Sequence, residues 1–497
     1  MTPFPNGLII VSKHDCPTCT LIEPVYHELE ASDIPLTIYT QDDPAFPPGI
    51  DRVIEDTGLE NSFRLNIETV PTLIRFDDGR EVGRLVGWHK EEWQAFTGIR
   101  TLGADLPDFR PGCGSLSVEP GIAEKLTLLF GNTAMTARKI EVAAMEDEIE
   151  ACFERGWTDG LPVVPPTEIR VLRMLQGTHR APDEIVGTMP PDGVPCTVEK
   201  IAINAVMAGC KPEYMPVILS TVEAALIEEF CMHGLLCTTY FSGPVVIVSG
   251  PAAKAIGMNS GMNALGQGNR ANATIGRALQ LIIRNVGGGR PGEIDRATMG
   301  NPGKYTYCFA ENLEASSWES LSESRGFKKG TSTVTLFAGE GLQGMMDQQS
   351  RNPESLASTF AHSLRTVAHY KIPQMGALLL VSPEHSRVFE NAGWSKARLK
   401  EELNRMLEIP LHEMLRGVDG NAEGIPSLNP HGVFQEKKGS TAGNPEEGIQ
   451  TVPKFRQGDG LEIVRVGGNA GMFSAIIGAW VASGPVGSIP VSKEIKL

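Results

Sequence analysis

Short apolar runs set off by turn residues organise the first hundred positions. Gly7–Ser12 (GLIIVS) is an uninterrupted apolar run of strand length. Leu21, Ile22, Val25 and Leu29 then recur at helical spacing. Residues 36–39 (LTIY) predict a second strand, residues 53–59 a polar helix and residues 73–76 (LIRF) a third strand. Asp77-Asp78-Gly79 is a hairpin turn signal before a partner strand at 81–86. Residues 89–96 alternate as an amphipathic helix.

At the first strand-to-helix turn stands Cys16-Pro17-Thr18-Cys19, and Val70-Pro71-Thr72 stands before the third strand. A thiolate at a helix N-terminus is stabilised by unpaired N–H groups and by the helix dipole, so its pKa falls. Over residues 7–98 the element order and these two motifs resemble the thioredoxin family. The resemblance implies that Cys16 attacks and Cys19 resolves. It also implies that Pro71 is the family's cis-proline, which lies against the cysteine pair and helps bind the partner chain. A thioredoxin reductase or another thiol reductant would supply electrons. The chain departs from the family at Asp15, where an aromatic residue is usual; a carboxylate there opposes thiolate formation.

Residues 101–121 hold three prolines and several glycines without periodicity, which predicts a linker. Cys113 lies in it between Gly112 and Gly114, on a backbone that another thiol can approach. A flexible arm brings such a thiol to Cys16 at high effective concentration, so Cys113 is read either as the first client of Cys16 or as an ordinary loop cysteine. Cys113-Gly114-Ser115 also resembles, over three residues, the signature of uncharacterised bacterial UGSC-type (seleno)protein families, with Leu116 in place of the final Cys. Helices are expected at Ile122–Phe130 and at 139–155.

Beyond residue 160 the pattern changes. From Cys231 to Asn269 there is one formal charge, Lys254, in 39 residues, as in a protein interior. Four apolar runs, at 245–249, 334–337, 378–382 and 463–466, each precede a small-residue turn. They predict parallel strands whose following loops converge on one crevice. Residues 259–272 contain Asn259, Asn263, Asn269, Asn272, Gln267 and Arg270. Those amides either bond loop backbone or line a polar pocket, with Arg270 and Arg277 as anion anchors near a helix N-terminus. Asp295, Arg296, Lys304, Cys308 and Glu311 follow within a short Gly-rich span. Gly339–Gly344 matches GxGxxG after a strand, but no acid ends a second strand at the spacing a ribose needs, so a nicotinamide site is rejected.

The expected fold class is α/β: an N-terminal thioredoxin-like domain (1–100), a linker and helical connector (101–160), and a larger α/β domain (161–497) with a mainly parallel or mixed sheet. A formal net charge of -16 argues against nucleic acid and anionic membranes. Nine cysteines are too few for a disulfide scaffold. The N-terminus lacks the basic and apolar segments of a signal peptide, which predicts a cytoplasmic chain. No cofactor is expected; Cys231, His233 and Cys237 could hold a metal but lack a close fourth ligand, and His362, His369 and His385 are too widely spaced to share one. A homo-oligomer stays open.

Two functions compete. In the first, a thiol–disulfide-linked oxidoreductase, Cys16 and Cys19 serve through Cys113 a large domain that binds a small polar or anionic substrate. Cys196, Cys210, Cys231, Cys237 and Cys308 are its potential acceptors, and Cys113, His233, Asp295 and Cys308 are counted with the pair as catalytic candidates. Pro71, the four asparagines, Arg270 and Arg296 are the binding candidates. In the second, a lyase or hydrolase uses His233, Asp295 and Glu311 as acid and base, and the N-terminal module docks or protects it.

Overall fold

The computed structural model describes residues 4–131, 133–143, 145–416, 423–425, 450–480 and 488–496. The chain divides into two units, Met1–Ala134 and Met135–Leu497. Both mix helices and strands.

The first unit runs β1 (Gly7–Ser12), α1 (Pro17–Leu21), α2 (Glu23–Glu30), β2 (Leu36–Thr40), β3 (Val53–Glu55), α3 (Glu60–Arg64), β4 (Thr69–Val70), β5 (Thr72–Asp77), β6 (Arg80–Val86), β7 (Trp88–His89), α4 (Lys90–Thr97), β8 (Phe109–Arg110), β9 (Cys113–Gly114) and α5 (Ile122–Phe130). Its five-stranded sheet has the order β3-β2-β1-β5-β6. β1 runs parallel to β2 and antiparallel to β5, which forms a hairpin with β6. Leu8, Ile9, Ile10 and Val11 are all buried because β1 is central and covered on both faces.

Two expectations change here. Residues 53–55 form a strand rather than the start of a helix, since the free edge of β2 offers Val53 and Ile54 backbone partners. Tertiary pairing outweighs local polarity. The stretch expected as a linker is built into this unit: β8 pairs with β7, and β9 pairs with β4. Ser115 and Ser117 anchor it in a buried polar network with Gln41 and the Ile67 carbonyl.

The second unit continues with α6 (Glu148–Glu154), α7 (Glu168–Leu175), β10 (Ile185–Met189), β11 (Val194–Thr197), α8 (Val198–Ala208), α9 (Met215–Ala225), α10 (Met232–Cys237), β12 (Gly243–Ser249), α11 (Pro251–Ala255), α12 (Arg270–Asn285), β13 (Cys308–Ala310), α13 (Leu321–Ser324), β14 (Thr333–Met346), α14 (Pro353–Arg365), β15 (Ala377–Val381), α15 (Pro383–Asn391), α16 (Lys396–Met406), β16 (Glu408–Pro410), β17 (Thr451–Pro453), β18 (Leu461–Arg465), β19 (Phe473–Ala479) and β20 (Val491–Glu494). The helix expected at 139–155 is confined to α6. The sequence at 416–454, polar and rich in Gly, Asn and Pro, lies mostly outside the described residues.

The main sheet has the order β13-β12-β14-β19-β15-β18, with β20 also on β14. It is mixed. β12 is parallel to β13, and β15 to β18, whereas β14 and β19 run antiparallel to their neighbours. The run at 245–249 is therefore antiparallel to the run at 334–337, which through β19 shares the direction of the runs at 378–382 and 463–466. The GxGxxG motif lies inside β14 rather than at a strand-to-helix turn. Gly339 is needed there for close packing: a Cβ on it would come within 2.7 Å of both Val245 and Ile477. The two halves repeat one plan, a parallel pair joined to a third, antiparallel strand. The outer strands meet where Asn312 N–H donates to the Arg465 carbonyl. The sheet thus curls around Val245, Ile247, Phe337, Leu378, Leu380, Val464 and Ile477. Among the described residues no helix is long and apolar enough to cross a membrane.

Candidate functional site

The N-terminal unit gathers three thiols. Cys16 is the N-cap of α1 with an extended backbone, so its sulfur faces the first turn and accepts the Cys19 N–H at 3.3 Å. Pro17 follows at the first helical position, where its missing N–H costs nothing. The Cys113 sulfur lies 3.0 Å from that of Cys16. It is brought there by the antiparallel pairing of Val70 with Cys113 and of Thr69 with Gly114. Thr18 secures the approach by donating its hydroxyl to the Pro111 carbonyl at 2.6 Å. The Val70–Pro71 peptide is cis, at the point where the resemblance required it. All nine cysteines are free thiols.

The three thiols are electrostatically unlike. Cys16 is lowered to about 5. The hydrogen bond from the Cys19 side chain is the largest cause; Cys113 and the N–H groups of Cys19 and Thr18 add to it against the cost of burial. Cys19 is raised, first by its own burial and then by the neighbouring Cys16 sulfur. Cys113 is raised for the same two reasons. Cys16 is thus the most acidic of the three, and the two neighbours that lower it are themselves raised. Asp15, whose charge was expected to oppose this, is exposed to water, where its field is screened.

Cys16 is only 1% exposed. Residues 111–113 lie over the sulfur, with Cys113 itself half-buried at the surface.

The large unit treats its candidates differently. The asparagines of 259–272 hold their own loop together. Asn259 donates to the Met262 carbonyl and Asn263 to that of Gln267; Asn269 caps α12 and donates to Gly257, and buried Asn272 donates to Asn259 and Ala264. Of the two expected roles they take the structural one, since their amides satisfy the loop's own carbonyls, and most of 259–270 is half-buried or exposed rather than interior. Arg270 is engaged by the carbonyls of Gly209 and Cys210 at the end of α8, and Arg277 by a bidentate pair with Asp159. Asp295 is buried against Lys304 at 2.6 Å. Arg296 and His233 are exposed. Cys308 is buried and its thiol is pushed up by that burial, which makes it a packing residue.

Burial likewise raises Cys196 to about 11 and Cys210 to about 12; Cys231 and Cys237 are half-exposed. Among the described residues, no group of three or more His, Cys, Asp or Glu is placed to hold a metal ion. His385 is packed between Ser474 and the Asp347 carbonyl.

Part of the expected crevice does form. A cavity of about 1260 Å³ opens beyond the carboxyl ends of β12 and β13, lined by Gly250, Ser260, Glu311 and Glu323 among others. Gly467, after β18, reaches it by donating to the Ser260 carbonyl. Glu311 accepts hydrogen bonds from the Ser249 hydroxyl and the Leu321 N–H, and its carboxylate lies 3.6 Å from the buried Lys396 ammonium. Asp295 stands near Gly243, through Lys304, at the other end of β12. Six residue steps of strand place it roughly 20 Å from Glu311, so these two cannot work as an acid–base pair. The sequence reading missed Lys396 and Arg465. The Arg465 guanidinium donates to Asn312, Glu314 and Ser386. The one signal for it was an arginine closing an apolar run. Comparisons with protein-family models, with curated proteins and with solved structures found no match to this chain.

Proposed function

We propose that this chain is a thiol–disulfide oxidoreductase whose N-terminal unit is thioredoxin-like and works through three cysteines. The observation that carries the reading is the Cys16 sulfur at a helix start, lowered to about 5, with Cys113 at 3.0 Å on one side and the Cys19 N–H on the other. The parallel β1–β2 pair, the β5–β6 hairpin and the cis Val70–Pro71 bond support the fold resemblance.

The reaction balances as follows. The Cys16 thiolate attacks one sulfur of an external disulfide that displaces residues 111–113, forming a mixed disulfide and releasing one partner thiolate, which takes the proton of Cys113. Cys113 then attacks the Cys16 sulfur, leaving a Cys16–Cys113 disulfide and releasing the second partner thiolate, which takes the proton of Cys19. Cys19 attacks Cys16 to give Cys16–Cys19 and free Cys113. Burial is the main cause that raises Cys19, with the Cys16 charge adding to it; bonding Cys16 removes that second cause, which favours Cys19 as the thiol that attacks next. An external thiol reductant resets the pair. In the large unit, Cys231 and Cys237 are the acceptors this reading favours, because the other thiols there are buried. The cavity beyond β12 and β13 is the proposed place for a small polar substrate.

The test is a mild oxidation of the full chain with one equivalent of oxidant, followed by acid quench and peptide mapping. The expected products are Cys16–Cys113 early and Cys16–Cys19 later. Random pairing, or oxidation confined to Cys231 and Cys237, overturns the proposal.

A further inference from the structure

Residues 110–113 sit in the groove at Cys16 as an extended segment. The groove makes different demands at each position of that segment. Two residues before the cysteine it reads only a backbone carbonyl, that of Pro111, through Thr18. At the cysteine it pairs backbone with Val70. One residue before the cysteine it leaves no room. A Cβ on Gly112 would lie 2.3 Å from Thr69 Cγ2 and 2.8 Å from the Val70 carbonyl oxygen. Thr69 is β-branched and stiff, and the Val70 carbonyl is backbone, so neither gives way cheaply. The opposing wall is also glycine: a Cβ on Gly87 would lie 2.9 Å from the Gly112 nitrogen. Gly114, one residue after the cysteine, has nothing within 4 Å of its Cβ position. Neither Gly112 nor Gly114 has a positive φ, so the restriction at Gly112 is steric.

We infer that the groove beside Cys16 accepts an extended cysteine-bearing polypeptide only when the residue immediately before the cysteine is glycine, and tolerates any side chain immediately after it. The chain's own Gly112-Cys113 satisfies this rule. An external partner must present the same Gly-Cys step and displace residues 110–113 to use it. This rests on Cys16 being the exchanging thiol.

The experiment uses the full chain carrying Cys113→Ser and Gly112→Ala, which loosens the internal occupant. Two peptides, acetyl-Arg-Pro-Gly-Cys-Gly and acetyl-Arg-Pro-Ala-Cys-Gly, are prepared as mixed disulfides with thionitrobenzoate. Attack by the Cys16 thiolate on the peptide sulfur forms the Cys16–peptide disulfide and releases coloured thionitrobenzoate with the bonding electron pair. The Gly-Cys peptide is expected to react at least about tenfold faster than the Ala-Cys peptide. Replacing the glycine after the cysteine by alanine changes the rate less than about twofold. If circular dichroism shows the variant unfolded, Cys113→Ser with Thr18→Val replaces it, because Thr18 is the other fastening. Equal rates for the Gly-Cys and Ala-Cys peptides overturn the selectivity and leave the exchange chemistry standing. Failure of Cys16 to react even with the small reagent dithionitrobenzoate overturns both.

Discussion

The two units use cysteine in opposite ways. In the first, Cys113 joins Cys16, 97 residues earlier in the chain, and its neighbour Cys19, and backbone N–H groups and neighbouring thiols lower the pKa of Cys16. In the second, Cys196, Cys210 and Cys308 are raised by burial, and Cys210 donates to the Thr274 carbonyl. The difference lies in hydrogen bonding to the charged form. Each buried thiol pays the desolvation cost, and only Cys16 has several donors aimed at its sulfur. A cysteine's position in a reactive-looking stretch says little until its donors are known.

The contrast is broken most directly by substitution. Cys16→Ser is expected to lower the exchange rate with a model disulfide by about a thousandfold or more, while Cys308→Ser and Cys210→Ser stay within about twofold. Comparable losses from either buried thiol would erase the distinction between the units.

The large unit has its own buried ion for comparison. Lys454 is fully buried and donates to the carbonyls of Val367, His369 and Ile372, and burial lowers it to about 8. Lys454→Met strands three carbonyls and is expected to destabilise the large unit by roughly 3 kcal/mol, measured by chemical denaturation. The N-terminal unit's transition should not move.

A pH dependence also separates the two groups. Cys16 in the fold lies at about 5, below its ordinary value near 9. Between those values the unfolded chain binds more protons, so the Cys16 contribution is fully present above pH 9 and is lost as pH falls through 5. Lys454 is lowered from 10.5 to about 8 because its charged form is disfavoured. The unfolded chain therefore holds the extra proton between pH 8 and 10.5, and stability rises across that window. Thiolate absorbance near 240 nm with a midpoint about pH 5, absent in Cys16→Ser, tests the first. A denaturation series between pH 8 and 10.5, flattened in Lys454→Met, tests the second.

Local pattern determined the short-range features. The run Gly7–Ser12, the cysteine pair at the next turn and the Asp78-Gly79 hairpin are each set by residues a few positions apart, and the structure places them as the pattern predicts. The segment at 53–55 escaped because its strand needs β2 as a partner. The antiparallel pairing of β12 with β14 escaped because an apolar run carries no sign of which way its neighbour runs. Composition marked 259–272 as polar groups in an apolar setting, yet whether an asparagine bonds a carbonyl or a ligand depends on where the loop closes. Cys113 stood in the sequence as a thiol between two glycines. Folding put it 3.0 Å from Cys16, since that contact is made by strand pairing across more than forty residues, which no local spacing encodes.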